Sequence, residues 1–281
     1  MIALLATLLA AGTPAGAPPA PPPDDAALRA RLDAGLAGRP EGPPRATWAS
    51  SFLVGARYAP SPLGEGDGFD PDPRFRLDRF DCTTLVETAL ALGASRSVAE
   101  AQERLDAIRY SGAPSFATRR HYVEAQWLPA LVAAGWMRDG TADVGGDATV
   151  EIEVRHRRAD WEAAARAGRL VPGLDPATLP DGVTRLRVLP LQRVRGASAR
   201  IPDGAVVLVA REPRAGRPYA VVHMGIVVVA PDGKRRVRHA SADAGRVVDE
   251  PLDRFVARWA RQRRWPVAGL AFLETGTPAA R

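Results

Sequence analysis

The 281-residue chain holds one cysteine, Cys82, and four histidines, His121, His156, His223 and His239. A single thiol excludes an internal disulfide framework and a multi-cysteine zinc site. No pair of histidines stands with carboxylates at metal-ligand spacing, so neither a metal nor another cofactor is expected. A thiol is a useful nucleophile only as thiolate, and the free N–H groups and positive dipole end of a helix's first turn lower its pKa. Cys82 has such a place. Cys82, Leu85, Val86, Ala89, Leu90 and Gly93 recur at the spacing of one helical face, with Asp81 at the cap position. Position alone leaves a second role open, that of a small residue filling a core helix.

His223 separates the two. It interrupts five valines and one isoleucine in AVVHMGIVVV, where an imidazole costs free energy unless something pairs with it. Gly225, two residues along on the same face, removes a side chain and lets a ligand or backbone approach. His239 falls on the next strand, in RHAS. With a three-residue loop at Pro231-Asp232-Gly233, Ala230 pairs with Lys234, His239 opposes Gly225, and the two histidines share a face. A two-residue loop puts them on opposite faces. The odd loop permits a series in which Cys82 is the nucleophile, His223 the general base and His239 the group that orients its imidazole. The alternative for His239 is an exposed strand histidine, and His156, in RHRR, reads as a surface residue.

The elements that must position these groups are mostly visible. A helix is predicted over about 26–36, capped at Asp24-Asp25 and ended by Gly38 and Pro40. Residues 59–79, rich in Pro, Gly and Asp, predict a long loop before the cysteine helix. Ser97 with Glu100 predicts a capping box for a helix over 97–109. Residues 123–134 read as a helix or pair of turns interrupted by Pro129 and closed by Gly135. The polar segment 138–200 shows alternation over 149–155, a helix near 159–167 and a strand near 183–189; it is either an inserted lobe or a decorated loop. Strands follow at 205–210, 221–229 and 237–240, then a short helix near 252–259 and a strand over 267–273. Helices first and an antiparallel sheet afterwards predict an α+β fold in a single domain over 24–281.

Composition restricts the class further. With 46% hydrophobic and 25% charged residues the chain is globular material. The net charge of +6 is concentrated: residues 234–264 hold ten Lys/Arg and four Asp/Glu. Such a patch either attracts a polyanion or forms a solvated face. No zinc-finger spacing or RNA-binding aromatic motif accompanies it, so nucleic acid is not an expected partner. Residues 1–23 carry a ten-residue apolar run, an Ala15-Gly16-Ala17 of the A-x-A type and a proline-rich stretch. They predict a signal peptide with linker, hence export to the periplasm or cell envelope, or else a flexible tail. No stretch is long and apolar enough to span a membrane.

The series F-D-C-T-T-L-V-E, V-H-M-G-I-V and R-H-A-S resembles the Cys–His–His series of the NlpC-type papain-like cell-wall peptidases. Asp81-Cys82-Thr83-Thr84, where the common form has D-C-S-G, is similar to an amidase-like subfamily formerly catalogued as a domain of unknown function. So are G-A-R-Y-A-P-S-P-L-G-E-G at 55–66, R-R-H-Y with Trp127 following, and P-D-G-A-V-V-L ahead of the histidine strand. Arg57 in place of proline and Val221-Val222 in place of an Asp-containing lead-in depart from it. The resemblance implies a papain-like fold, with the cysteine helix packed on an antiparallel sheet. It also implies an N-acetylmuramoyl-L-alanine amidase acting on peptidoglycan or its muropeptide fragments. The wider superfamily implies γ-D-glutamyl-diamino acid endopeptidase activity instead. A non-catalytic envelope-binding protein and an acyltransferase are the remaining readings. Tyr58 is a candidate oxyanion or substrate contact, or a half-buried structural tyrosine. Arg120 and His121 are candidates for gripping a carboxylate or sugar, the alternatives being a salt bridge and a packing histidine.

Overall fold

Runs of β-branched residues in the carboxy-terminal third form the sheet on which the candidate residues stand. In this computed structural model residues 25–276 are described, so the predicted signal peptide and linker, and Asp24, lie outside the described residues. The strands are β1 (Arg57–Tyr58), β2 (Arg79–Phe80), β3 (Met137–Asp139), β4 (Val150–His156), β5 (Gly182–Val188), β6 (Val206–Arg211), β7 (Val221–Val229), β8 (Arg235–Ser241), β9 (Arg246–Pro251) and β10 (Val267–Thr275). The helices are α1 (Asp25–Leu36), α2 (Pro43–Ser51), α3 (Cys82–Gly93), α4 (Val98–Arg109), α5 (Leu128–Ala133), α6 (Thr141–Gly145), α7 (Arg158–Arg166), α8 (Leu191–Ala197) and α9 (Leu252–Ala260). Eight strands make one sheet in the order β2-β1-β9-β8-β7-β6-β10-β3, while β4 and β5 pair separately. Within the large sheet only β1 and β2 run parallel. The architecture is mixed α+β, rich in antiparallel pairing.

Alternation along the central strands sends side chains into two cores. Met224, Ile226 and Ala240 join the apolar residues of α1, α2, α3 and α4 in one cluster. Val227 and Val237 join Phe255 and Trp259 of α9 and Val194 of α8 in the other. Such burial of apolar side chains from water is the dominant favourable contribution to folding.

Local signals explain most boundaries. Asp81 caps α3, its Oδ1 accepting from Thr84 N–H at 2.8 Å while the Thr84 hydroxyl accepts from Asp81 N–H at 3.0 Å. Ser97 caps α4 through Glu100 N–H at 3.1 Å, but the Glu100 carboxylate accepts from Arg96 N–H, one residue short of a reciprocal box. The interrupted helix is a π-helical turn, Val123–Trp127, running into α5, with Pro129 tolerated in the first turn. Segment 138–200 holds β4, α7 and β5 near the expected ranges. The short strands β1, β2 and β3, and the polar β9, have no counterpart among the sequence expectations.

The β7–β8 hairpin has the odd loop. Ala230 N–H donates to Lys234 O at 2.9 Å, and Gly233 sits at φ 77°. Pairing runs from Val229 with Arg235 to Ile226 with Arg238, so Gly225 falls opposite His239. The close approach there is backbone: a Cβ on Gly225 would lie 2.8 Å from Arg238 O and 3.1 Å from His239 Cβ. Gly225→Ala is therefore expected to destabilise the protein by roughly 1–3 kcal/mol, the usual range for overpacking. Urea unfolding measures this, and an unchanged midpoint would contradict the tight crossing.

Candidate active site

Cys82 opens α3, and α3 packs its apolar face against Met224 and Ile226 of β7. The sulfur therefore lies beside the start of that strand. The Thr83 hydroxyl lies 4.0 Å from it. Cys82, Thr83, His121, Tyr122, Glu124, Tyr219, His223 and Met224 line one cavity of about 200 Å³.

The thiol does not behave as the helix-terminus argument predicts. Burial, and after it the Asp81 carboxylate, push its pKa up to about 12. The residue that caps α3 is the residue that opposes ionisation of the cysteine. A dipole end worth a few tenths to one kcal/mol in exposed settings is outweighed by desolvation and an adjacent negative charge. The free protein thus holds a neutral thiol.

The two histidines meet as the three-residue loop requires. His223 Nε2 and His239 Nδ1 are 2.9 Å apart, their rings edge to face. Both rings pack on Phe255, and His223 also on Trp259, so they stand on the α9 side of the sheet. Met224 points to the α3 side. The structure thus brings His223 and His239 together and brings Cys82 to the same cavity. Among the described residues no hydrogen bond joins the thiol to an imidazole. Catalytic hydrogen bonds are often long before substrate binds.

A bulge aims His223. Val209 pairs with His223 and Ala210 with Val221, leaving Val222 as the extra residue; such bulges re-aim side chains next to active sites. Buried Glu124, on the π-helical turn, holds the approach to this bulge by accepting from Ala220 N–H and from Val221 N–H, the latter at 3.2 Å. Beyond His239, its Nε2 lies 3.1 Å from Glu250 Oε2, which also accepts from Arg258 Nη2 at 2.9 Å. Glu124, Glu250 and Arg258 were not candidates on sequence grounds. The offset from His239 to Glu250 depends on β9, whose alternation is weak.

The remaining candidates are placed as follows. Tyr58 is half-buried on β1, and its phenol pKa is raised by burial and then by the Asp81 carboxylate. Arg120 and His121 line a second cavity of about 350 Å³ with Phe69, Phe116, Arg109 and Arg119, sharing Thr83 and His121 with the first. Arg109 is paired with Glu87 at 2.6 Å, and Arg119 with Glu65 and Asp70. Arg120 donates only to the carbonyls of Ala107 and Ile108, and burial lowers its pKa. His121 donates from Nε2 to Phe116 O at 2.8 Å and packs on that ring. His156 is buried rather than superficial: its ring nitrogens meet Pro218 O and the Thr184 hydroxyl, and it stacks on Trp161. Among the described residues no group of three His, Cys, Asp or Glu side chains is arranged to hold a metal, and no helix is long and apolar enough to cross a membrane.

These environments predict two responses to pH. All four histidines have lowered pKa values, chiefly from burial, His239 to about 4. Below about pH 6.5 the unfolded chain binds protons that the folded chain refuses, so stability present above that pH is lost as pH falls toward 4. The melting temperature should drop steadily from pH 7 to 4.5, less steeply in His239→Asn; a flat profile contradicts neutral buried imidazoles. The neutral thiol predicts that iodoacetamide alkylation of Cys82 accelerates with pH beyond pH 9. A plateau below pH 8 would reveal a preformed thiolate.

A Legionella pneumophila protein of known crystal structure shares the fold, with a TM-score of 0.74 at 20% identity over 92% of this chain and 99% of that one. A crystal structure of an N-acetylmuramoyl-L-alanine amidase from Bacteroides uniformis matches with a TM-score of 0.63 at 21% identity, covering 84% and 99% of the two chains. Comparison with curated proteins gave no match. The family model described as AmiA-like, N-acetylmuramoyl-L-alanine amidase-like, matches residues 48–260. That span contains Tyr58, Cys82, Arg120, His121, His223 and His239, and the chain belongs to this amidase-like family.

Proposed function

We propose that the protein is an exported cysteine amidase that hydrolyses the amide between the muramic acid lactyl group and L-alanine in peptidoglycan fragments. The observation that carries the proposal is the placement of Cys82, at a helix start, in one cavity with His223, whose imidazole is bonded to His239. Membership of the amidase-like family supports the substrate class. The resemblance of the Cys–His–His series to papain-like peptidases supports the mechanism, and the apolar amino-terminal run supports export.

His223 accepts the thiol proton as the sulfur attacks the lactyl carbonyl. A C–S bond forms and the carbonyl π electrons move onto oxygen. The first N–H groups of α3 have no helical carbonyl partner, and in this reading Cys82 N–H serves as the oxyanion donor. Collapse breaks the C–N bond, the proton on His223 passes to the leaving L-alanine amine, and water releases the acyl group by the reverse proton path. A neutral thiol and a neutral imidazole suit this order, since the proton moves only when substrate is present. Tyr58 contacts the oxyanion or the substrate near the sulfur. Arg120, the guanidinium of its cavity with no carboxylate partner, grips a substrate carboxylate, and the exposed Phe69 packed on Phe116 offers an apolar surface beside it.

A defined disaccharide-peptide tests the proposal by mass analysis. The expected product is the whole stem peptide, released by the wild type and not by Cys82→Ala. An L-Ala-D-Glu remnant left on the sugar would assign endopeptidase activity instead. Full activity of Cys82→Ala would reject the cysteine mechanism, and salt-sensitive binding to sacculi with no cleavage would make the protein a binding module.

A further inference from the structure

His239 is wholly buried, and its far nitrogen faces the Glu250–Arg258 pair that closes β9 against α9. Arg258 is itself fixed. It lies over the rings of Phe255 and Trp259 at 5.3 and 5.2 Å, and its guanidinium reaches Asp243 at 3.9 Å as well as Glu250. The side chains of Glu250 and Arg258 are only 19% and 28% exposed, so their pairing is partly shielded from solvent.

Hydrogen-bond inventory then decides where every proton in the chain sits. An ionised carboxylate only accepts. Glu250 Oε2 accepts from Arg258, so His239 Nε2, 3.1 Å away, carries a hydrogen and donates it. A neutral imidazole has one N–H, so His239 Nδ1 is bare. Across the 2.9 Å contact the donor must therefore be His223 Nε2–H. His223 is neutral too, which leaves its Nδ1 bare. Reversing the first bond reverses the last: a His239 that carried its hydrogen on Nδ1 would force His223 to carry one on Nδ1 as well. His223 would then have no lone pair with which to take a proton from a thiol.

We propose that Glu250, held by Arg258, is a positioning residue that fixes the tautomers of His239 and His223 and so leaves His223 Nδ1 as the proton acceptor for Cys82. The role rests on the cysteine mechanism proposed above, while the proton placement itself does not. When the S–H bond breaks and the Nδ1–H bond forms, His223 becomes an imidazolium. Its Nε2–H bond to His239 persists, and the Glu250 carboxylate lies at the end of the same chain to favour the positive charge. Arg258 keeps Glu250 turned toward His239.

The test combines spectroscopy with kinetics. Nitrogen-15 spectra of the wild-type protein at pH 7.5 should show both His223 and His239 protonated at Nε2 and bare at Nδ1. A protonated Nδ1 on either ring overturns the proposal without any variant. Glu250→Ala should populate the other tautomer of His239 and lower kcat by roughly 10–100-fold with KM little changed, the size expected of a supporting group one shell from the chemistry. Glu250→Gln, whose amide oxygen can still accept from both neighbours, should recover most of the loss. Should Glu250→Ala fail to fold, Arg258→Met gives the same readouts, since it frees Glu250 without removing the acceptor. It should lower kcat less than Glu250→Ala and leave His239 in mixed tautomers. Unchanged tautomers and kcat in the folded variants overturn the proposal. If Cys82→Ala remains active while the wild-type tautomers are as stated, the cysteine mechanism fails and the proton placement stands. If Cys82→Ala is inactive and the tautomers differ, the present inference alone fails.

Discussion

A wholly buried imidazole, His239, and a half-buried one, His223, must find acceptors for the N–H groups they carry, and the rest of the site follows from how that demand is met. Desolvation keeps both rings neutral, so each has one hydrogen to place. The 2.9 Å contact between them satisfies one, and only a further acceptor can satisfy the other. That acceptor lies on β9, is braced from α9, and thereby ties the edge of the histidine strands to the helix that covers them. An unpaired buried polar group costs on the order of 1–3 kcal/mol. The chain of contacts from His223 to Arg258 is thus a packing requirement before it is a catalytic device.

The cysteine is governed by a different competition. The helix that presents it begins with an aspartate because an N-cap must accept from the free N–H groups of the first turn. The same aspartate stands next to the sulfur and, with burial, holds the thiol neutral. Thiol and imidazole are thus both neutral at rest. Under the proposed mechanism, proton transfer would await the oxyanion and its donors at the start of α3. Resistance of the idle thiol to adventitious oxidation follows as well, since susceptibility tracks thiolate character.

The strongest sequence signals were those in which one side chain violates its surroundings. An imidazole in a valine run predicts a partner, and a loop of odd length names His239 as that partner. Both follow from the period-2 geometry of strands. The start of α3 was legible because the cap and the apolar spacing agree. The bulge at Val222, the π-helical turn that presents Glu124 and the strand β9 were not. Each depends on one extra or one displaced residue, and no local pattern marks such an insertion until the neighbouring strand is known. Val247 and Val248 are followed at once by Asp249 and Glu250, with no alternation to announce a strand, so Glu250 could not be placed diagonal to His239. The thiol's raised pKa was missed for a related reason. A helix terminus is a local feature, whereas desolvation depends on what the fold lays over it.

Basic residues divide by the same criterion of what surrounds them. Within 234–264 the sequence shows an undifferentiated positive stretch, yet Arg238 is buried and paired with Asp249, and Arg258 serves Glu250. Arg235 donates to the carbonyls of Ile201, Gly233 and Ala199. Part of the apparent patch is therefore internal wiring, while Lys234, Arg246, Arg254, Arg261, Arg263 and Arg264 are exposed. Around the second cavity the pattern inverts: Arg109 and Arg119 are neutralised by carboxylates, and Arg120 beside them is satisfied only by backbone carbonyls. Glu87, the partner of Arg109, is the carboxylate whose charge also acts on Arg120, without an ion pair to it. Charge around this cavity is thus set by local pairing, and the net +6 of the chain says little about it.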